Sequence, residues 1–295
     1  MEKAPRFKKK PEIIGKIKIQ RRDLDIINLI WKYRFMSSEQ IQALTEGSNQ
    51  VILRRLQKLY HHGYLDRPIN QIVFSNPIIG PQKMVYGLGD KGADLLADEY
   101  GVDRGSITWR EKNKESGERY IQHTLMISEF RACLTLALKG VPDAKLSWLR
   151  GDDPELKQEV FYVDGTQKRR LIVVPDGFFQ IEDPDGKMYF FLEADRSTMT
   201  NARFLNKMRA YWLWWKQGGH NNSGIGNFRV LTVAKTRQRM ENLIKTTRQA
   251  DDSKKGSYMF WFTAMDNYQL DQPETILKDI WLTPEDSMQH RLLEG

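Results

Sequence analysis

Residues 171–195 read LIVVPDGFFQIEDPDGKMYFFLEAD. Two runs of β-branched and aromatic residues flank Pro184-Asp185-Gly186, a pattern that predicts an antiparallel hairpin. Centring its turn between Pro184 and Asp185 sets Asp176 directly opposite Glu193. Residues facing each other across such a pair present their side chains to one face, with Cβ atoms roughly 4.5–5.5 Å apart. Asp195 lies two residues beyond Glu193 and shares that face. Three carboxylates are therefore expected at the open end of a mostly apolar ribbon, and like charges placed so need an offset. One candidate offset is a divalent ion, Mg²⁺ or Mn²⁺, bound by Asp176, Glu193 and Asp195. The other is a salt-bridge network with a cation downstream, such as Arg196, Arg203 or Lys207.

Outward from the hairpin, Arg196–Thr200 reads as a cap cluster. It opens a helix with Phe204, Met208, Tyr211, Trp212 and Trp215 as its apolar stripe and Arg203, Lys207, Arg209 and Lys216 projecting elsewhere. Strands over 228–234 and 258–263 flank a helix over 235–250, so the second half predicts a mixed sheet with helices on its faces. A long helix over 119–139 precedes it, and 104–118 reads as a linker.

Composition narrows the choices. The 295 residues are 40% hydrophobic and 28% charged, which fits two domains with their own cores and no disordered chain. No apolar run approaches the roughly 18 residues of a membrane span, and the first residues lack a secretory apolar core. A single cysteine, Cys133, forms no internal disulfide, so a reducing cytoplasm is the expected location. One cysteine and five scattered histidines do not make a closed zinc site, and no glycine-rich phosphate loop joins a strand to a helix. The net charge is +8. Almost all of it sits in residues 1–22, read as a basic flexible arm, while 196–240 holds nine cations and no acid. Two separate basic tracts suggest a polyanion, with double-stranded DNA the first candidate.

The first hundred residues agree with that partner. Residues 22–103 predict three short helices, with a Ser37–Gln40 capping box on the second and Ser48 capping the third, followed by a two-stranded ribbon: the order of a winged helix-turn-helix. The third helix is the expected reader. It presents Ser48, Asn49, Gln50, Arg54, Arg55 and Lys58, with Lys83 on the ribbon side, and no acid between Gly47 and Leu65. Asn, Gln and Arg make bidentate contacts to base edges, and Lys pairs with phosphates.

Two resemblances follow from these residues. Pro175-Asp176, the hairpin, Glu193-Ala194-Asp195 and the helix after them look like the PD-(D/E)XK restriction-endonuclease-like fold. That likeness implies metal binding by the acids and a catalytic Lys where this chain carries Asp195. Over roughly 22–265, the series Ser37-Ser38-Glu39-Gln40-Ile41, Arg54-Arg55-Leu56, Gly63-Tyr64-Leu65, Tyr86-Gly87-Leu88, Gly92-Ala93, Pro175-Asp176 and Glu193–Arg196 resembles the replication-relaxation proteins of bacterial plasmids and mobile elements. The expected architecture is α+β: the winged helix-turn-helix, then a nuclease-like domain over 119–270 and an extension over 271–295. The expected function is DNA binding in replication, mobilisation or their regulation, with a degenerate nuclease domain. Lys207 is the substitute catalytic lysine if that domain is active. The alternatives are a Mg²⁺-dependent endonuclease, or an interaction module for replication, mobilisation or defence proteins. The 119–139 helix offers a surface for a homodimer.

Overall fold

A computed structural model describes residues 6–72, 83–107, 116–150, 156–253 and 255–293. The chain is mixed α+β and divides into two units, 1–132 and 133–295.

In the first unit, helical spacing buries Ile26, Ile27, Ile30 and Tyr33 on the inner side of a helix over Arg21–Tyr33. Call it α2, after a short α1 over Pro11–Ile14. The capping box reads as the sequence suggests: Ser37 Oγ accepts from the Gln40 amide at 3.2 Å and Gln40 Oε1 from the Ser37 amide at 2.9 Å. It opens α3 over Ser38–Leu44. Helix α4 spans Asn49–His61 and buries Ile52, Leu56 and Leu59. Ser48 stands at its N-cap, but its side chain makes no capping bond.

The sequence predicts a two-stranded ribbon, and the sheet has three strands. Phe35–Ser37 (β1) pairs with Val85–Leu88 (β3), which also pairs with Leu65–Asp66 (β2). β1 was missed because Phe35 and Met36 read as the tail of α2, and their partners lie some 50 residues away. The connection over 73–82 lies outside the described residues. Helix α5 covers Asp90–Tyr100.

The basic arm is not a free tail over its described part. Lys9 pairs with Asp66, and the Lys10 amide donates to His61 Nδ1 at 3.1 Å. His62 Nε2 meets the Gly15 carbonyl at 2.7 Å, and Arg67 reaches the Arg6 carbonyl at 2.8 Å. Main-chain groups of the arm thus satisfy side chains around the end of α4, which a charge count does not reveal.

Helix α6 spans Glu118–Leu138, and its residues up to Ala132 belong to the first unit. In the second unit a seven-stranded sheet runs in the order β12-β11-β10-β9-β8-β7-β4. The strands are β4 Lys145–Arg150, β7 Gly177–Asp183, β8 Gly186–Asp195, β9 Phe228–Ala234, β10 Phe260–Ala264, β11 Trp281–Leu282 and β12 Gln289–His290. β8, β9 and β10 are parallel, and their crossovers are α7 (Asn201–Lys216), a short α8 (Gly219–Asn222) and α9 (Arg237–Thr247). Within the expected extension over 271–295, the described residues to 293 include β11 and β12, which complete the sheet edge, with Trp281 fully buried and His290 held between the Tyr258 hydroxyl and Asp286.

The hairpin register is the expected one: Gly177 faces Leu192, Phe178 faces Phe191, and Asp183 faces Gly186 across the Pro184-Asp185 turn. Asp183 Oδ1 accepts from the Asp185 and Gly186 amides, and Gly186 takes a φ of 146° open to glycine. Stacked rings at about 5 Å spacing run Trp148–Phe179–Phe190 across β4, β7 and β8. A Cβ on Gly177 would come within 2.8 Å of the Trp148 ring, so the glycine after Asp176 makes room for that stack. Residues 171–173, read from the sequence as part of the same strand, belong instead to a separate hairpin of β5 (Gln158–Asp164) and β6 (Gln167–Val173).

The fully buried Asp23 holds Arg55 bidentately, with Arg55 Nε 2.8 Å from Oδ1 and the second bond at Oδ2. Removing one partner of a buried pair strands the other charge. Arg55→Ala is therefore expected to destabilise the first unit by about 3 kcal/mol, read as a lower urea midpoint by circular dichroism. An unchanged midpoint would show that the pair holds nothing together.

Candidate functional site

Alternation along β8 sends Phe191, Glu193 and Asp195 to the face covered by α7 and α9, where Phe191 joins a core with Tyr211, Trp214 and Phe228. Both carboxylates are consequently buried. Each meets a different helix. Glu193 Oε1 accepts from the Tyr211 hydroxyl at 2.6 Å, and Oε2 is paired with the Lys207 ammonium. Lys207 and Tyr211 are four residues apart on α7 and so lie on one side of it.

Asp195 takes a guanidinium fork from α9. Arg239 Nε and Nη2 donate to its two oxygens at 2.8 and 3.0 Å, and the Ser197 amide adds a third bond at 2.7 Å. Arg239 also donates to the Met199 carbonyl at 2.7 Å and to Asn201 Oδ1 at 2.6 Å. One side chain thereby fixes the turn between β8 and α7, in which Ser197 has a φ of 62°. The expected partners, Arg196 and Arg203, are replaced by a residue more than forty positions downstream. Thr236 caps α9 through the Arg239 amide and sets the side chain's starting point.

Strand pairing between β7 and β8 gives way at Asp176. Its amide donates to the Leu192 carbonyl at 2.9 Å, and its Oδ2 accepts from the Ala194 amide at 2.8 Å. Asp176 nonetheless acts on Glu193, Lys207 and Tyr211 through its charge. Burial pushes the Glu193 carboxyl from its usual 4.5 up to about 7 against the pull of Lys207, and Asp176 adds to the rise. For Lys207, burial works downward, yet Glu193 and Asp176 outweigh it and hold the ammonium above its ordinary range. Burial and then Glu193 drive the Tyr211 hydroxyl well above its ordinary value.

These carboxylates do not fit a divalent ion. Both oxygens of Glu193 and both of Asp195 already accept from protein donors, and Asp176 accepts from a main-chain amide. Among the described residues, no group of three or more His, Cys, Asp or Glu side chains is arranged to hold a metal. The arrangement can instead receive an anion. A cleft of about 320 Å³ is lined by Ile172, Val174, Met199, Arg203, Asn206 and Lys207, which brings an exposed guanidinium and the Lys207 ammonium to one opening. Arg203 and Lys207 line it together, whereas Arg196 and Arg209 are half-buried and Arg209 reaches the Gln249 carbonyl at 3.4 Å.

In the first unit, α4 leaves Ser48, Asn49, Gln50, Arg54 and Gln57 exposed, with Val51 and Leu53 also on the surface and Lys58 half-buried. The arm's contacts fall elsewhere, on Arg55 and on Tyr60 to His62. Two expected readers have carboxylate partners: Arg55 on Asp23, which turns it inward, and Lys83 on Glu39 at the surface. Gln57 was missed by sequence reasoning, although its place three residues after Arg54 gives it the same side.

Residues 27–231 match the family described as replication-relaxation. The chain belongs to the replication-relaxation family. Membership suggests a role in replication or mobilisation of a plasmid or other mobile element. No curated protein and no solved structure matches the chain significantly. Among the described residues, no helix is long and apolar enough to cross a membrane.

The raised Glu193 carboxyl fixes a sign. The folded chain binds a proton that the unfolded chain releases between pH 4.5 and about 7, so this group's stabilising contribution declines as pH rises through that window. In urea unfolding, the wild type is expected to lose stability relative to Glu193→Gln over that window, by no more than about 1.4 kcal/mol per pH unit. Parallel stability profiles for the two proteins would refute the shift.

Proposed function

We propose that this member of the replication-relaxation family is a DNA-binding protein that holds duplex without cutting it, in replication or mobilisation of a bacterial plasmid or mobile element. In this reading the first unit is a winged helix-turn-helix, and the second is a PD-(D/E)XK-like domain turned from cleavage to binding. The observation that carries it is the exposed side of α4. Asn49, Gln50, Arg54 and Gln57 form a row of base-edge donors and acceptors, and the outward Leu53 and Val51 suit thymine methyls. A helix with that side chain set, no acids, and its inner side packed on Ile52, Leu56 and Leu59 has the dimensions of the major groove.

Support for binding without cleavage comes from the carboxylates. Hydrolysis assisted by a metal needs an ion to lower the pKa of water and a cation beside it. Here an anion, Asp195, stands at the catalytic lysine's place and is closed by Arg239, while Glu193 is taken up by Lys207 and Tyr211. Lys207 and Arg203 at the cleft then act as phosphate contacts, with Asp176 and Glu193 fixing the lysine.

Fluorescence anisotropy with duplex fragments of the chain's own replicon tests the reading. Arg54→Ala is expected to weaken binding to the preferred site by about 1–3 kcal/mol. Supercoiled plasmid incubated with Mg²⁺ or Mn²⁺ is expected to stay unnicked. Nicking abolished by Glu193→Gln would make the second unit an endonuclease, and a wild type with no affinity for duplex at any salt would end the reading.

A further inference from the structure

The β5–β6 hairpin has two unlike faces. Register pairs Val160 with Leu171 and Gln158 with Val173 on one face, and Phe161 with Arg170 and Val163 with Lys168 on the other. Val160 and Val173 are buried in the core beneath α7, and Gln217 at the end of that helix donates to the Phe161 carbonyl at 2.8 Å. The hairpin is therefore anchored along its inner face. Its outer face is bare: Phe161 is 45% exposed, Val163 72% and Ile172 37%, and Val174 just beyond the strand is 42% exposed. Cations alternate with these apolar groups. Lys168 lies 4.7 Å over the Phe161 ring and Arg170 is next along the strand on that face, while the exposed Arg169 between them starts from the opposite face, across from Tyr162. Glu159 offsets part of this charge through a long contact to Arg170 at 3.4 Å, and Asp164 is the one other acid in the hairpin sequence. The outer face then runs on into the cleft, because Ile172 and Val174 also line it together with Arg203 and Lys207.

We propose that the outer face of this hairpin is a second DNA-binding surface, a β-ribbon that lies in a groove of the duplex and guides one backbone strand past Arg203 and Lys207. It rests on the DNA-binding reading above and adds an element which that reading does not need. The chemistry selects the occupant. A solvent-facing ribbon costs free energy when it exposes Phe and Val, and a purely apolar partner would desolvate Lys168 and the Arg170–Glu159 contact without offering the cations a new acceptor. A duplex meets both demands. Phosphates take the cations, while apolar side chains pack on sugars and bases, as β-ribbons and apolar wedges do in DNA grooves. The two-stranded ribbon has the width that the major groove admits.

The test uses the full chain. Three variants are compared with wild type by anisotropy on duplex DNA across a salt series: Lys168→Ala/Arg169→Ala/Arg170→Ala, Phe161→Ser/Val163→Ser, and Arg54→Ala. All the substituted hairpin side chains are surface groups, and thermal unfolding checks that each variant keeps the wild-type midpoint. The triple variant is expected to bind about tenfold more weakly or worse and to lower the slope of log K against log salt by about 2–3. The double variant is expected to weaken binding several-fold with the slope retained. A photocrosslinker in place of Val163 is expected to capture DNA. Wild-type affinity and slope in both hairpin variants, with Arg54→Ala impaired, would overturn the ribbon and leave the reader helix standing. The reverse pattern would keep the ribbon and remove the helix. Capture of a second copy of the chain by the photocrosslinker, with DNA affinity unchanged, would make this face a self-association surface and overturn the proposal.

Discussion

Two carboxylates, two residues apart on one strand, sit under a layer of helices, and neither stays charged there without a partner. Glu193 and Asp195 therefore dictate what the covering elements carry. The helix after β8 supplies Lys207 and Tyr211 on one side, and the helix after β9 supplies Arg239 at its first turn. Desolvation of an isolated carboxylate costs several kcal/mol, so each pair ties its helix to the sheet at a defined rotation and height. The parallel crossovers β8–α7–β9 and β9–α9–β10 are pinned by those contacts as well as by the Phe191 core beneath them.

The two pairs are not equivalent. Asp195 has a planar guanidinium fork of two bonds, plus a main-chain amide, and this closes the turn ahead of α7. Glu193 has an ammonium and a phenol, and its carboxyl sits near neutrality because burial outruns them. The second clasp lies beside a cleft that carries Arg203.

Legibility in the sequence followed the reach of each interaction. The hairpin register was readable from Gly177 to Gly186 because a two-residue turn and alternating aromatic residues fix it locally, whereas the ladder gives way at Asp176, ahead of the expected pairing with Glu193. The capping box at Ser37 and Gln40 was readable for the same reason. Arg239 was not, since nothing local marks the third residue of a helix as the partner of an acid more than forty positions earlier. Arg55 misled for the complementary reason: among Arg54, Arg55 and Lys58 the spacing alone does not say which turns inward, and that is decided by Asp23 on another helix. Tyr211 hid in plain view, four residues from Lys207, because a tyrosine in an apolar stripe reads as packing when its hydroxyl has no visible partner. Strand β1 and the division of 171–181 between two sheets depended on distant or tilted pairings that periodicity cannot resolve.

Charge counts mislead in a related way. The +8 of the sequence suggests a broadly cationic surface. Yet Lys9, Arg55, Lys83 and Arg239 each hold a carboxylate within their own unit, and the arm's main chain is bonded to the end of α4. Cations fixed in such pairs add little to the field outside, because their partners cancel them at a distance comparable to the Debye length. What acts on a polyanion is patterned: Arg54 in a row of amides on α4, Arg203 beside the Lys207 opening, and Lys168 and Arg170 among apolar groups on the outer side of a ribbon. Sparse cations set among amides and apolar groups favour contact with a duplex of defined shape over diffuse attraction to any anion, since each contact adds a geometric condition as well as a charge.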